Sequence, residues 1–161
     1  MLYEWVPSGK PKEVRKLSLQ SVSGIMKLSP FSQNDSGLQQ GKEYLWQVVI
    51  QWDLDNPSSD LVSEANIEVV SAPASMQSKL SRAVNSVEKV NIYAEAGLWY
   101  DALGEALKLA ETSKLGKVGS ALLSDLVKSE APKTILELPP KERDAMENQL
   151  NNLRQIANKA G

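Results

Sequence analysis

The spacing of hydrophobic positions along the chain changes near residue 72, from every second residue to every third or fourth. Within residues 43–53, aromatic and branched aliphatic side chains stand at alternate positions, which places them on one face of a strand. After Pro73, apolar residues recur at the period of an amphipathic helix. The pattern therefore predicts an α+β protein with a strand-rich part at 1–72 and a helical part at 73–161.

Several segments of the first part carry a strand pattern, with turn-forming residues between them. Residues before Pro11 are predicted to form an irregular lead-in, and the polar residues 32–41 a loop. Short strands in series favour an antiparallel β-sandwich of the immunoglobulin type, here small or truncated. The predicted strands are 12–19, 24–28, 43–53 and 65–70.

The second part is predicted to contain a helical hairpin, preceded by one helix after Pro73 and followed by two further helices. Asn85 and Glu88 have the spacing of a capping box, which begins a helix, and Gly97 ends that helix. A third helix follows directly, so that the hairpin occupies 85–111. The further helices are expected at about 117–128 and about 140–159, the last one after a proline pair.

The hairpin has the residue spacing of one tetratricopeptide unit, in which small side chains let two helices approach closely. The residues with this spacing are Tyr93, Gly97, Trp99, Ala102 and Ala106. The pattern occurs once rather than in a tandem array. It predicts a tetratricopeptide-like hairpin whose groove can hold an extended segment of another protein.

The chain contains neither histidine nor cysteine. It therefore lacks the residues for a Ser–His or Cys–His pair, an ordinary zinc site, histidine-ligated haem or a thiolate iron–sulfur cluster, and we expect no cofactor. The net charge of −2 argues against a nucleic-acid partner. The amino terminus has no signal-peptide pattern, and the apolar runs are too short to span a membrane.

Two runs of residues resemble a cyanobacterial domain of unknown function that is numbered nine-two-eight. One is GKEYLW at residues 41–46, and the other is YAEAGLWYDAL at residues 93–103. The resemblance covers about residues 28–127. It implies immunoglobulin-like strands before a short helical hairpin, and an exported, periplasmic or otherwise extracytoplasmic location. It implies no activity and carries over no catalytic residue.

The candidate binding residues are Trp99, Tyr100, Asp101 and Trp52. Trp99 and Ala102 lie one helical turn apart and should point inward, which leaves Tyr100 and Asp101 on the outer side. Tyr44, Trp46 and Trp52 form an aromatic stripe that we expect to fill the core, because Val48 and Ile50 share its face. Trp52, at the strand end, is expected to be the most exposed of the stripe.

The leading prediction of function is a non-catalytic protein-binding or scaffolding module of the cell envelope, with another protein as partner. A homodimer through an open sheet edge is a further expectation. The alternative is a glycoside hydrolase working through carboxylates alone, or a glycan-binding domain, using the segment 53–64 near Trp46 and Trp52. The carboxylates in question are Asp53, Asp55, Asp60 and Glu64. A purely architectural domain is the third possibility.

The same segment has acidic residues at the first, third and twelfth positions of a calcium-binding EF-hand loop. Pro57 and Ser58 occupy the fifth and sixth positions, where that loop needs a ligand and a glycine. We therefore predict no metal site in this segment and expect a solvated hairpin loop.

Overall fold

The structure is a computed structural model that describes residues 1–6, 9–32, 35–130 and 138–159. The chain forms two compact units. One unit consists of Met1–Ser21 and Lys27–Ala72, and the other of Val22–Met26 and Pro73–Gly161. The first contains an antiparallel sheet and the second contains the α-helices, which confirms the α+β class.

The sheet has four strands in the order β2-β1-β3-β4, and every neighbouring pair is antiparallel. A turn of 3-10 helix at Pro57–Ser59 lies in the loop between β3 and β4. All strands of the described residues belong to this one sheet, so a two-sheet sandwich is not confirmed. The strands are β1 (Leu2–Trp5), β2 (Pro11–Arg15), β3 (Glu43–Ile50) and β4 (Leu61–Glu68).

The amino-terminal part of the chain differs from the sequence prediction. The expected irregular lead-in contains β1, which lies inside the sheet between β2 and β3. The strand predicted at 24–28 is wrong, because these residues form no strand. Instead, Ile25 packs against the helical core, and its N–H donates to the Ser113 carbonyl. Ile25 thus contributes to a helical core, whereas Val22 is exposed. A run this short does not distinguish a strand from an irregular segment packed on helices.

The helices begin close to their predicted positions, because their caps and apolar stripes are strong, but the second helix of the hairpin ends at Ala106 and not near residue 111. Asn85 caps α2, its Oδ1 accepting from the Glu88 N–H at 2.9 Å, while the Glu88 carboxylate accepts from the Val84 N–H at 3.0 Å. Gly97, just after α2, has φ +74, the left-handed conformation that ends many helices. The helices are α1 (Ala74–Arg82), α2 (Ser86–Glu95), α3 (Trp99–Ala106), α4 (Gly116–Glu130) and α5 (Pro140–Lys159).

The core of the helical unit is built around small side chains. Ala102 and Ala106 on α3 are 0% and 1% exposed and pack with Val90 of α2 and Leu122 of α4. Alanines at these positions let the helices approach closely, so any larger side chain here would meet a neighbour. A second cluster joins Leu115 with the two later helices and the 22–26 segment. Its other members are Leu123, Ala157, Ile25, Leu103, Leu107 and Leu126.

Candidate functional site

The aromatic stripe on β3 passes from buried to exposed along the strand. Tyr44 is buried, and its hydroxyl accepts a hydrogen bond of 3.0 Å from the Gln39 N–H. Trp46 is partly buried, whereas Val48 and Ile50 are exposed. The prediction that this face lies in the core is therefore right at Tyr44 and wrong at the two aliphatics.

The change in burial has a cause in the sheet topology. Strand β1 pairs with β3 at Tyr44, Leu45 and Trp46. From Val48 onward β3 pairs with β4 alone, as far as the facing pair Ile50 and Leu61. The end of the β3–β4 hairpin is therefore a two-stranded ribbon, and a ribbon has too little neighbouring structure to bury either face.

Six large apolar side chains are exposed at this end of the hairpin, and we call five of them the hairpin patch, leaving out Val62 because it lies on the opposite face of the ribbon. Trp52 and Leu54 are 71% and 81% exposed in the loop that follows β3. The ribbon contributes the other members, which share one face because Ile50 and Leu61 face each other. Exposed apolar residues concentrated in one place mark interaction sites more often than scattered ones do. The patch consists of Val48, Ile50, Trp52, Leu54 and Leu61.

The β3–β4 hairpin is also strongly acidic. Residues 43–78 include six carboxylates and no lysine or arginine. In the part of the chain that the structure describes, no salt bridge involves any of the six. The six are Glu43, Asp53, Asp55, Asp60, Glu64 and Glu68. The end of this hairpin therefore combines exposed apolar side chains with carboxylates that form no salt bridge among the described residues.

The carboxylates proposed for glycoside hydrolysis are mostly solvent-exposed. Asp53 accepts a hydrogen bond from the Asp55 N–H at 3.0 Å, which shapes the turn after β3, and both residues are exposed. Glu64 is exposed and accepts a 2.7 Å hydrogen bond from the Gln47 side chain. Asp60 is partly buried. Asp53, Asp55 and Glu64 thus lie at the surface, whereas the buried Oδ1 atom of Asp60 has no hydrogen-bond partner among the described residues. This geometry does not add support for paired catalytic acids.

The other candidate residues stand at the start of α3. Trp99 packs against the helical core, while Tyr100 is 60% exposed and Asp101 is exposed. Asp101 lies in the first turn of α3, where a negative charge is favoured by the helix dipole. Trp99, Tyr100 and Asp101 therefore form one local surface with Tyr100 outermost, and Trp52 belongs to the sheet unit.

Charged side chains connect α2 and α3 on one side of the helical hairpin. Burial raises the pKa of the Tyr93 phenol, and the negative charges of Asp101 and Glu105 raise it further. A hydrogen bond from Lys108 lowers the pKa of Glu105, to which the positive charge of Lys89 also contributes. The Glu105 side chain is only 13% exposed. The Lys108 hydrogen bond to Glu105 is local to the end of α3, and the charge of Lys89 acts on the same carboxylate from α2.

Sequence reasoning missed Leu61 as a member of the candidate site, because it placed the start of the following strand at Ala65. Strand β4 begins at Leu61 and pairs with β3 along its whole length. The signal was present in the alternation of Leu61, Ser63 and Ala65 with Val62 and Glu64. The acidic neighbours made the segment look like part of a solvated loop.

Neither metal-binding clusters nor membrane-spanning helices occur in the ranges that the structure describes. No group of three or more acidic side chains there could hold a metal ion. No helix there combines the length and the apolar character that crossing a membrane requires.

The chain is thus an α+β protein with a four-stranded antiparallel sheet in one unit and helices in the other. The chain belongs to the family described as Domain of Unknown Function (DUF928), whose profile matches residues 8–139. This confirms the resemblance carried by the GKEYLW and YAEAGLWYDAL runs. Comparison with curated proteins and with solved structures gives no match.

Proposed function

We propose that this chain is a non-catalytic protein-binding or scaffolding module whose contact surface is the hairpin patch. The observation that carries the proposal is the exposure of Trp52 and Leu54 beside the apolar face of the ribbon. Large apolar side chains that are exposed in the free chain lose water contact only when a partner covers them, and an aromatic ring contributes much of the binding energy of such interfaces. The exported character that the family resemblance implies supports a partner in the cell envelope.

The helical hairpin supports a second contact surface for the same function. Close packing of Ala102 and Ala106 against α2, with Tyr100 turned outward, is consistent with a tetratricopeptide-like hairpin. We also propose that the sheet is related to the immunoglobulin fold, and this proposal rests on the family resemblance. Both relationships favour protein binding over catalysis.

The proposal is tested by affinity capture with the purified full chain and two matched double variants. Extracts of the source organism, split into envelope and soluble fractions, are passed over wild type, Trp52→Ser with Leu54→Ser, and Tyr100→Ala with Asp101→Ala. We expect a captured protein that is lost with the first variant and kept with the second. All three chains are first compared by circular dichroism and thermal unfolding.

The other outcomes are equally informative. Loss of the captured protein only with the Tyr100 and Asp101 variant would move the contact surface to α3. A protein that is captured equally by all three chains contradicts a role for either surface. Absence of any specifically captured protein from both fractions contradicts the binding function and favours an architectural domain.

Glycan binding is a second candidate function, favoured by the exposed ring of Trp52 next to Asp53 and Asp55. Flat aromatic rings stack on sugars, and nearby carboxylates accept hydrogen bonds from sugar hydroxyl groups. A glycan array probed with wild type, Trp52→Phe and Trp52→Ser tests this function. Binding that survives in Trp52→Phe and is lost in Trp52→Ser would support it, and a blank array would contradict it.

A further inference from the structure

The outer edge of β4 offers a row of backbone groups to a further strand. Val69, directly after β4, donates its N–H to the Lys42 carbonyl at 3.1 Å, so its backbone groups point toward β3. These directions alternate along an antiparallel strand, and β4 ends the sheet order. Four residues of β4 therefore direct their N–H and C=O groups away from the sheet. They are Val62, Glu64, Asn66 and Glu68.

Both carboxylates of β4 lie on one face of the sheet, which they share with Val62 and Asn66, while the other face of β4 carries no charged side chain. Glu64 and Glu68 lie on one face, while Leu61 and Ile67 lie on the other, because alternate residues of a strand point to opposite sides. A strand added beside β4 would place its own alternate side chains on the same two faces. One of its faces would meet carboxylates, and the other would meet aliphatic side chains.

A pair of facing carboxylates indicates that the added strand is cationic. Glu43 and Glu68 are direct cross-strand partners, and like charges in that position destabilise a sheet. The absence of lysine and arginine from residues 43–78 leaves this repulsion uncompensated within the hairpin sequence. A lysine or arginine from a bound strand would remove the repulsion and form hydrogen bonds to the carboxylates.

A second copy of the chain fits this edge poorly. Two β4 edges brought together would face each other with the same acidic side chains, which costs free energy on both strands. The opposite edge, β2, contains Pro11 and Lys12 and lies next to a register irregularity between Leu2 and Tyr3. Proline, lysine and bulges protect the β2 edge against pairing, whereas the carboxylates of β4 oppose pairing with an acidic strand but not with a cationic one. Among the described residues, no strand pairs with the outer edge of β4.

We propose that β4 binds an extended segment of a partner protein as a fifth strand, and that this segment carries lysine or arginine alternating with apolar residues. The segment lies antiparallel or parallel to β4, with its cationic side chains on the face of Glu64 and Glu68. Its apolar side chains lie on the face of Leu61 and Ile67. This inference rests on the proposed protein-binding function and names the chemistry of its partner.

The test uses the full chain and synthetic eight-residue peptides, with binding followed by fluorescence polarisation. The probe is fluorescein-labelled Lys-Val-Lys-Ile-Lys-Thr-Lys-Val. Three controls change one property each: glutamate in place of every lysine, the same residues with all lysines in one block, and N-methylation of alternate amides. We expect the probe to bind at least about tenfold more tightly than any control, and its affinity to fall as salt is raised.

Charge-reversal variants locate the binding strand. Glu64→Lys with Glu68→Lys should lose the cationic probe and bind the glutamate peptide instead. The matched control is Glu111→Lys with Asp125→Lys, which makes the same change in net charge on exposed positions of the helical unit. This control should keep the preference for the cationic probe with little change in affinity.

Each contrary result overturns a stated part of the inference. Equal binding of the glutamate peptide would overturn the cationic partner, and equal binding of the N-methylated peptide would overturn strand addition. Self-association that is abolished by reversing Glu64 and Glu68, measured by light scattering, would make a second copy the occupant. Capture of a protein through Trp52 and Leu54, without binding of the cationic probe, would overturn this inference while leaving the proposed function intact.

Discussion

The backbone carbonyl of Ser113 accepts a hydrogen bond of 2.9 Å from the N–H of Ile25. The contact joins residues 22–26 to the loop before α4, within the helical unit. Both sides of it use left-handed backbone, with φ +96 at Gly24 and φ +64 at Ser113. A short segment of the amino-terminal half is thereby fixed to the helical core, where Ile25 packs beside Leu115 and Leu123.

Replacing Gly24 by alanine should destabilise the helical unit. A Cβ atom at this position would lie 2.4 Å from the Ser113 carbonyl oxygen, which no side-chain movement can relieve. We expect about 1–2 kcal/mol from the left-handed backbone and about 1–3 kcal/mol more from the steric overlap. Urea unfolding followed by circular dichroism measures the sum.

Gly97→Ala is the matched control for this substitution. Gly97 also has positive φ, but a Cβ there would meet nothing within 4 Å. Its replacement should therefore cost only the backbone term of about 1–2 kcal/mol. If the two variants are equally stable, the close approach of Gly24 to Ser113 is absent in solution.

Truncating the cap of α2 should weaken the helical hairpin at its beginning. The Asn85 side chain accepts the Glu88 N–H, and alanine cannot replace this hydrogen bond. We expect Asn85→Ala to lower the free energy of unfolding by about 1 kcal/mol, and Asn85→Asp to retain most of it. Asn91→Ala, an exposed change inside the same helix, should be neutral or slightly stabilising. A loss in Asn91→Ala as large as in Asn85→Ala would show that the effect is not one of capping.

A larger side chain in the contact between α3 and its neighbouring helices should destabilise the protein more than loss of the α2 cap. Ala102 is fully buried, so leucine at this position would force the neighbouring helices apart, at about 1–3 kcal/mol. Gly104 lies on the exposed side of the same helix, and a Cβ there would meet nothing within 4 Å. Gly104→Ala should therefore stabilise by about 0.5–1 kcal/mol. Thermal unfolding of the two variants should move in opposite directions, and a destabilised Gly104→Ala would contradict the packing of α3.

The helices were predictable from sequence because their signals are local. Asn85, Gly97 and the alanines of α3 mark a cap, an end and a contact within a few residues of one another. The burial of β3 was not predictable in the same way. It depends on β1, whose partners on β3 are 40 or more residues away, and β1 pairs with only part of β3. Alternation showed which residues share a face, but not that Val48 and Ile50 lie beyond the covering strand.

The segment around Ile25 shows a second limit of pattern analysis. A five-residue segment that contains only three apolar side chains fits a strand and an irregular segment packed on helices equally well. The deciding contact, between Ile25 and Ser113, spans most of the chain. The candidate site was predicted in part. The exposure of Trp52 was expected, whereas Leu61 was missed because the following strand was predicted to begin at Ala65.

The ion pair between Glu105 and Lys108 at the end of α3 should make part of the stability depend on pH. Hydrogen bonding from Lys108, together with the charge of Lys89, holds the pKa of Glu105 below its ordinary value of 4.5. A carboxylate whose pKa is lowered by folding stabilises the native state above the unfolded pKa, and this stabilisation is lost as the pH falls through the folded pKa. Glu105→Gln should thus destabilise by about 0.5–1 kcal/mol at pH 7 and by much less at pH 3.

Urea unfolding of wild type and Glu105→Gln between pH 3 and pH 7 measures the difference between their free energies of unfolding. Because all other groups titrate in both chains, their contributions cancel in this difference. Glu111→Gln is the control, because Glu111 also has a lowered pKa through Lys114 but is widely exposed. Solvent screens such a pair, so its variant should show a smaller pH-dependent difference than Glu105→Gln. A difference for Glu105→Gln that is constant from pH 3 to pH 7 would contradict the ion pair and assign the effect to packing of the Glu105 side chain against α2.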